Sequence, residues 1–324
     1  MTDIRHDKLT GRWVIIEPER NKRPGAHPVT SENSVAPEDC PFCPGNERET
    51  PEEIVAVRAA ALAANKPGWI IRVFPNKYPI LSGPLTSAGN DAWRHEVIIE
   101  TPAHVSSLTA LSLQEVQAVF RMYIDRIRAL RSAGTACVPV LFKNVGSLAG
   151  ASQEHAHAQL LALPQIPPDL ALELSALETW KQQEDCCYYC RLLEDERAAG
   201  SRMVIDTAGG CVLTPNASRF PYEMLLLPAR HRADFDELSD AEADQAATLL
   251  HRGLIALEQI APGCHYNFTL QTAPMMDGRY AEYHWHLRIT PRLAGIAGCE
   301  LGAGLYVNPV PPEVAAAQLR TVLS

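Results

Sequence analysis

Apolar residues recur at three- and four-residue steps in two stretches: Val116, Val119, Phe120, Tyr123, Ile124 and Ile127, then Ala246, Leu249, Leu250, Leu254 and Leu257. That period puts one apolar stripe on a helix and predicts two long amphipathic helices. Each is preceded by an S-x-x-E box, Ser112 with Glu115 and Ser239 with Glu242, in which hydroxyl and carboxylate satisfy the free N–H groups of a helix start. Short apolar segments with strand character flank both: residues 95–100 and 138–142 around the first, 222–227 and 266–270 around the second. A proline-rich linker at 163–168 leads into another helical stretch ending at Gln183, and residues 24–37 read as a surface loop. The order of elements occurs twice. The expected fold class is therefore α+β, with two tandem halves, 1–170 and 171–324, each an antiparallel sheet with one long helix.

Chemistry repeats along with the pattern. Cys40 and Cys43 are followed by His104, then by His155 and His157; Cys187 and Cys190 are followed by His231, then by His284 and His286. The intervals 104–155 and 231–284 are nearly equal, and Ser112 lies as far beyond His104 as Ser239 lies beyond His231. A tetrahedral zinc ion takes four thiolate or imidazole ligands, and C-x-x-C supplies two from one tight turn. Two zinc sites are expected: Cys40, Cys43, His104 and His155, then Cys187, Cys190, His231 and His284. His95 is a rival to His104, without a counterpart before His231, and Cys186 leaves the register of the second pair open. Buried free thiols and a redox pair are the competing readings. Duplication of the whole set argues against the first, and the lack of a βαβ pattern around either pair argues against the second.

Composition narrows the setting. The 324 residues carry 29 Lys+Arg against 38 Asp+Glu, a net charge of −9, which argues against a broad nucleic-acid-binding face. No uncharged apolar run approaches the roughly 18 residues of a membrane span, and the polar N-terminus lacks the apolar core of a signal peptide. Nine cysteines without an export signal favour thiols or metal ligands over disulfides. The expected location is cytoplasmic, with no membrane or nucleic-acid partner.

The most informative segment is 142–161. Gly146, Ser147, Gly150, Ala151 and Ser152 are small enough to let the backbone approach an anion and donate N–H groups to it. In an extended segment 155–159, alternate side chains share a face, so His155, His157 and Gln159 form a row. With His155 taken by metal, His157 is free as a nucleophile toward phosphorus, since a neutral imidazole needs no separate base. The second half has Ala273, Pro274, Met275 and Met276 where the first has its Gly/Ser loop, and Arg288 where the first has Gln159. His286 is accordingly expected to be packed rather than catalytic.

These motifs, with LTGRW at 9–13, Arg20, Arg23, FPNKYP at 74–79 and TPAH at 101–104, resemble the galactose-1-phosphate uridylyltransferase family, a two-half branch of the histidine-triad superfamily. The second C-x-x-C and the tail at 300–309 are similar to the plant ADP-glucose phosphorylase branch. The resemblance implies two tandem histidine-triad-like halves, the first catalytic and the second degenerate. It further implies a ping-pong reaction in which His157 takes UMP from UDP-glucose and passes it to a hexose 1-phosphate such as galactose 1-phosphate. Gln159 would bond the phosphoryl oxygens. Asn144, Gly150 and Ser152 would contact phosphate, and Arg20, Arg23 and Asn76 nucleotide and phosphate, within a homodimer. In histidine-triad hydrolases a third histidine stands at the Gln159 position to protonate a poor leaving group, whereas a sugar phosphate needs no such acid. Tyr306 stands where galactose-specific members carry a glutamine, and Ala294 and Gly295 where they carry a Lys-Phe pair. ADP-glucose phosphorylase, or a non-enzymatic nucleotide-binding zinc protein, are the alternatives.

Overall fold

The computed structural model describes residues 3–18, 35–59, 62–80, 95–134, 136–278 and 280–323. Most of the loop expected at 24–37, together with Arg20 and Arg23, lies outside the described residues. The chain begins with a hairpin of β1 (Asp3–His6) and β2 (Trp13–Ile16). Asp7 Oδ1 closes the hairpin loop by accepting the Leu9 and Thr10 N–H groups at 3.1 and 2.6 Å, and Gly11 supplies a positive φ of 67°. The LTGRW motif is thus a turn with a mechanism.

Ten further strands form one antiparallel sheet. The first five are β3 (Val55–Arg58), β4 (Trp69–Pro75), β5 (His95–Ile99), β6 (Val138–Val145) and β7 (His157–Leu163). The others are β8 (Met203–Thr207), β9 (Gly210–Leu213), β10 (Met224–Pro228), β11 (Tyr266–Gln271) and β12 (His286–Pro291). The spatial order is β3-β4-β5-β7-β6-β11-β12-β10-β9-β8, which reads the same outwards from its centre on both sides. Two separate sheets do not form. Both halves leave a good inner edge, and pairing β6 with β11, from Leu141↔Leu270 to Val145↔Tyr266, satisfies both. The two outer edges are short and irregular, with register shifts at Val57/Arg58 in β3 and at Met203/Ile205 in β8.

Both long helices form where the periodicity places them, as α1 (Leu113–Ser132) and α4 (Asp240–Ile260), and both S-x-x-E boxes close reciprocally. Such a cap contributes about 1 kcal/mol. Between them in sequence lie α2 (Pro168–Glu184) and α3 (Tyr188–Ala199). Alternating strand residues divide two cores. Ile98, Ala158, Leu160, Leu226, Phe268 and Leu287 pack with α1 and α4 in one core common to both halves. On the opposite face, Leu225 and Leu227 of β10 pack under α2 and α3, while Trp69, Phe74, Val97 and Ile99 carry only Phe42 and Ala56 as partly buried cover. The site lies on that lightly covered part of the sheet. Beyond, α5 (Gly298–Ala303) leads to β13 (Tyr306–Asn308), which returns to pair in parallel with β2, and α6 (Pro312–Thr321) follows.

One buried ion pair sits inside the common core. Lys143 of β6 lies 2.5 Å from Glu100, both side chains fully buried, and Tyr123 of α1 donates its hydroxyl to the same carboxylate. Lys143 Nζ also donates to the His157 carbonyl at 3.2 Å. Breaking a buried pair costs more than the pair contributes, because the surviving charge is stranded. Lys143→Met is expected to destabilise the metal-loaded protein by about 3–5 kcal/mol. The double variant Lys143→Met/Glu100→Gln should recover most of that in urea denaturation; equal losses for both would refute this account of the pair.

Candidate active site

The first metal set is built by three segments. Cys40 and Cys43 form a knuckle in which the Cys43 N–H donates to the Cys40 carbonyl at 3.1 Å, braced by Asn46 Nδ2 on the same carbonyl at 2.8 Å. Glu47 ties the knuckle to the sheet by accepting from Trp69 Nε1 at 2.8 Å. His104 arrives from the loop after β5 and His155 from the turn before β7. Cys43 Sγ lies 3.2 Å from His104 Nδ1 and 3.4 Å from His155 Nδ1, and one ligand atom from each of the four residues falls within 4.8 Å of the others. His155 Nε2 donates to the Thr101 carbonyl at 2.7 Å, which leaves Nδ1 as the lone-pair nitrogen facing the thiols. Burial and the neighbouring Cys40 push the Cys43 thiol up to about 12. Two bare thiolates side by side are uphill, and a divalent cation is what reverses that.

Cys187, Cys190, His231 and His284 come together in the same way, also within 4.8 Å of one another. Cys187 is the N-cap of α3 and Cys190 lies in its first turn; the hydrogen bond to Cys187, then burial, push the Cys190 thiol up. Hydrogen bonding from Cys190 leads the effects that pull the Cys187 thiol down. Cys186 stays out of the set, and so does His95. Each cluster could hold a metal ion.

His157 stands at the start of β7. Its Nδ1 donates to the His155 carbonyl at 2.7 Å, so the Nε2 lone pair is the free one. Burial, then the Lys143 charge, push its pKa down to about 4, which keeps the ring neutral at physiological pH. Phe42 packs edge-on against the ring at 5.1 Å between centroids. A cavity of about 570 Å³ opens in front, and its lining includes Phe42, Asn76, Ser152, His157 and Gln159. Asn144 and Gly150 do not line it. They shape the turn beside it, where Gly150 adopts a left-handed φ of 81°.

That turn is held from the other side of the β6–β11 seam. Asn267 Nδ2 donates to Asn144 Oδ1 at 2.7 Å and to the Ala149 carbonyl at 2.8 Å, while Arg292 Nε donates to Asn267 Oδ1 at 2.6 Å. His265 Nδ1 accepts the Leu148 N–H at 3.1 Å. Gly146, with φ 80°, is packed so closely on His265 that an added Cβ would lie 2.1 Å from its ring. Nothing in the sequence links Asn267 or His265 to the loop; only strand register does. Phe42 and Lys143 were likewise missed, being ordinary residues until the fold brings them together.

The second H-x-H is built alike, and His286 also lines a cavity, of about 620 Å³, shared with Glu173, Tyr189 and Arg288. His286 Nδ1 is 3.0 Å from the His284 carbonyl, yet Tyr189 of α3 lies over the ring at 4.6 Å between centroids. The Tyr189 hydroxyl donates to Glu173 of α2 at 2.5 Å, and Arg288 is paired with Glu223 at 2.8 Å. Tyr306 packs against Phe220.

A neutral, buried imidazole with a fixed tautomer, set beside side-chain amides and a turn of small residues, suits transfer of a phosphorylated group, the chemistry of nucleotidyltransferases. Residues 1–167 match the family model described as galactose-1-phosphate uridyl transferase, N-terminal domain. ADP-glucose phosphorylase of Arabidopsis thaliana is 31% identical over 99% of this chain and 93% of its own length. Galactose-1-phosphate uridylyltransferase of Thermotoga maritima is 28% identical over 99% and 98%. Among solved structures, the Arabidopsis ADP-glucose phosphorylase with bound ADP-glucose superposes with a TM-score of 0.81 at 29% identity, covering 99% of both chains. A uridylyltransferase structure gives 0.74 at 29% identity, covering 100% of this chain and 98% of that one. The chain belongs to the galactose-1-phosphate uridylyltransferase family, and it is an enzyme of the nucleotidyltransferase class.

Gly146→Ala tests the buttressed turn. A Cβ there must displace His265 or the loop, and about 1 Å of misplacement near a reacting group costs on the order of 10²-fold in rate. Turnover is expected to fall by that order while metal content and fold are retained; an unchanged rate would show the close packing to be irrelevant.

Proposed function

We propose that this chain transfers a nucleoside monophosphate from a nucleoside diphosphate glucose to a phosphate-bearing acceptor, by two displacements at His157. The observation that carries the reading is the 2.7 Å bond from His157 Nδ1 to the His155 carbonyl, which leaves Nε2 as nucleophile beside the cavity. In the first step Nε2 attacks the α-phosphorus, an N–P bond forms, and the P–O bond to glucose 1-phosphate breaks with the electron pair leaving on that oxygen. In the second, an acceptor phosphate oxygen attacks the same phosphorus and the N–P bond breaks, restoring the imidazole. The Nδ1 proton stays on the ring throughout. The charge that develops on the ring is met by the His155 carbonyl.

Asn76, Ser152 and Gln159 would contact the phosphoryl oxygens from the cavity wall, with Asn144 and Gly150 shaping the turn. Arg20 and Arg23 would add charge to the nucleotide phosphates in a homodimer. Both Cys₂His₂ sets fit zinc: four soft or borderline donors each, with His155 Nε2 already fixed by Thr101. Bound there, zinc ties knuckle, loop and β7 together, and so aims the carbonyl that holds His157.

From the sequence, the reaction is UDP-glucose with a hexose 1-phosphate, in galactose metabolism. A second reading, adenylyl transfer from ADP-glucose to inorganic phosphate, is favoured by the likeness to the plant phosphorylase and by Tyr306 in place of the hexose-binding glutamine. The acceptor phosphate and the sugar phosphate meet the same nucleophile, so both readings share one first step. Of the described residues, no helix is long and apolar enough to cross a membrane.

Incubation with UDP- or ADP-glucose and labelled glucose 1-phosphate, without other acceptor, should give label exchange and a nucleotidyl adduct on His157. His157→Ala is expected to remove both, and His286→Ala to keep most of the exchange; the reverse pattern would move the nucleophile to the second half. The preferred donor decides between the two readings.

Metal analysis should find about two zinc ions per chain. Strong chelation should unfold the protein, since thiolate ligation couples metal binding to folding. A metal-free preparation with an unchanged thermal midpoint would refute the structural role.

A further inference from the structure

Gln159 and Asn76 offer the cavity their side-chain amides, and an amide has two opposite ends. Only the NH₂ end can meet a phosphoryl oxygen, which is an acceptor. What decides which end faces outward lies behind them. The Ile80 backbone N–H points at His95 Nδ1 at 3.1 Å. A backbone N–H cannot reverse, so Nδ1 is the acceptor nitrogen and the ring proton sits on Nε2. His95 Nε2 lies 2.8 Å from Gln159 Oε1 and donates to it. The Gln159 NH₂ group is thereby left for the cavity.

Asn76 follows the same logic. Its Oδ1 accepts the Tyr78 N–H at 2.8 Å. Its Nδ2 lies 3.2 Å from His95 Nε2, but with the proton on that nitrogen the approach is donor to donor and carries no bond. Gln159 thus has its carbonyl end held inward by an N–H whose tautomer traces to the backbone of Ile80, while the Asn76 carbonyl is held by the backbone of Tyr78. His95 is 3% exposed, and burial lowers its pKa, in keeping with a neutral ring.

We propose that His95 is a positioning residue: as its Nε2–H tautomer, it fixes the orientation of the Gln159 amide and so makes the cavity wall a donor surface for the phosphoryl group in flight. This rests on the nucleotidyl-transfer reading for its consequence, but not for its geometry. An acceptor-only ligand with anionic oxygens is what such a wall selects. A Gln159 amide free to turn would present its own oxygen to the phosphate half of the time, and that orientation repels.

Two measurements test it. Nitrogen-15 NMR of the histidine rings in the zinc-loaded protein should show His95, assigned by its loss in His95→Gln, as the neutral Nε2–H tautomer. An Nδ1–H tautomer or an imidazolium at neutral pH would overturn the proposal whatever the enzyme does. For the rate, His95→Leu removes the donor and is expected to slow exchange of labelled glucose 1-phosphate by up to the order of 10²-fold that loss of one oriented donor costs. His95→Gln, whose Nε2 reaches the same place, should restore much of it. In a Gln159→Ala background, His95→Leu should have no further effect. Equal fold-losses in both backgrounds would show that His95 acts on something other than Gln159. If the wild-type protein gave no exchange while the Nε2–H tautomer was present, the transfer reading would fail and the orientation of the wall would stand.

Discussion

The pairing of β6 with β11 is the interaction on which the rest depends. It joins ten strands into one sheet, so α1 and α4 pack side by side over a single core instead of each covering a small one. Burial grows faster than surface when two small layers merge, which is why the merged core is the more stable arrangement. The seam also brings Asn267 and His265, with Arg292 behind Asn267, against the turn at 146–150, so residues after β10 brace a loop that precedes β7. Arg121 of α1 reaches Asp244 of α4 at 2.6 Å across the same divide, an exposed pair of minor energetic weight.

Within the site, a second constraint is carried by one residue. The His155 side chain belongs to the first metal set, and its carbonyl holds His157. The geometry of the first Cys/His set and the orientation of the His157 ring are therefore mechanically linked across a two-residue step. The equivalent pair, His284 and His286, has the same local geometry. What differs is the surroundings: α2 and α3 lie across that face of the second half, and the Tyr189 ring packs against His286. The same backbone arrangement therefore stands beside amides and a small-residue turn in one half and beside Tyr189, Glu173 and Arg288 in the other.

Much of this was legible from local signals. Capping boxes located the starts of α1 and α4 to the residue and apolar periodicity their buried faces, since both are properties of a few consecutive side chains. The two Cys₂His₂ sets were legible because metal ligands must be particular residue types, and the second set repeats the first. The links that run between distant segments were not. Lys143 beneath β7, Phe42 beside His157 and Asn267 against Asn144 depend on which strands become neighbours, and a single sequence does not encode that in any short window. His95 shows the difference well. Its chemistry marked it as a possible ligand, and only the β5–β7 register, His95 opposite Leu161 and Val97 opposite Gln159, puts it behind the glutamine instead.

Joining the halves edge to edge also fixes how the molecule can meet its own kind. The seam uses the two regular inner edges, and the outermost described strands, β3 and β8, are short and interrupted by register shifts. Such edges offer a foreign strand few consecutive unpaired N–H and C=O groups, which is how soluble β proteins avoid growing into ribbons. Strand addition at either end of the large sheet is therefore disfavoured by the irregularity of the edge itself.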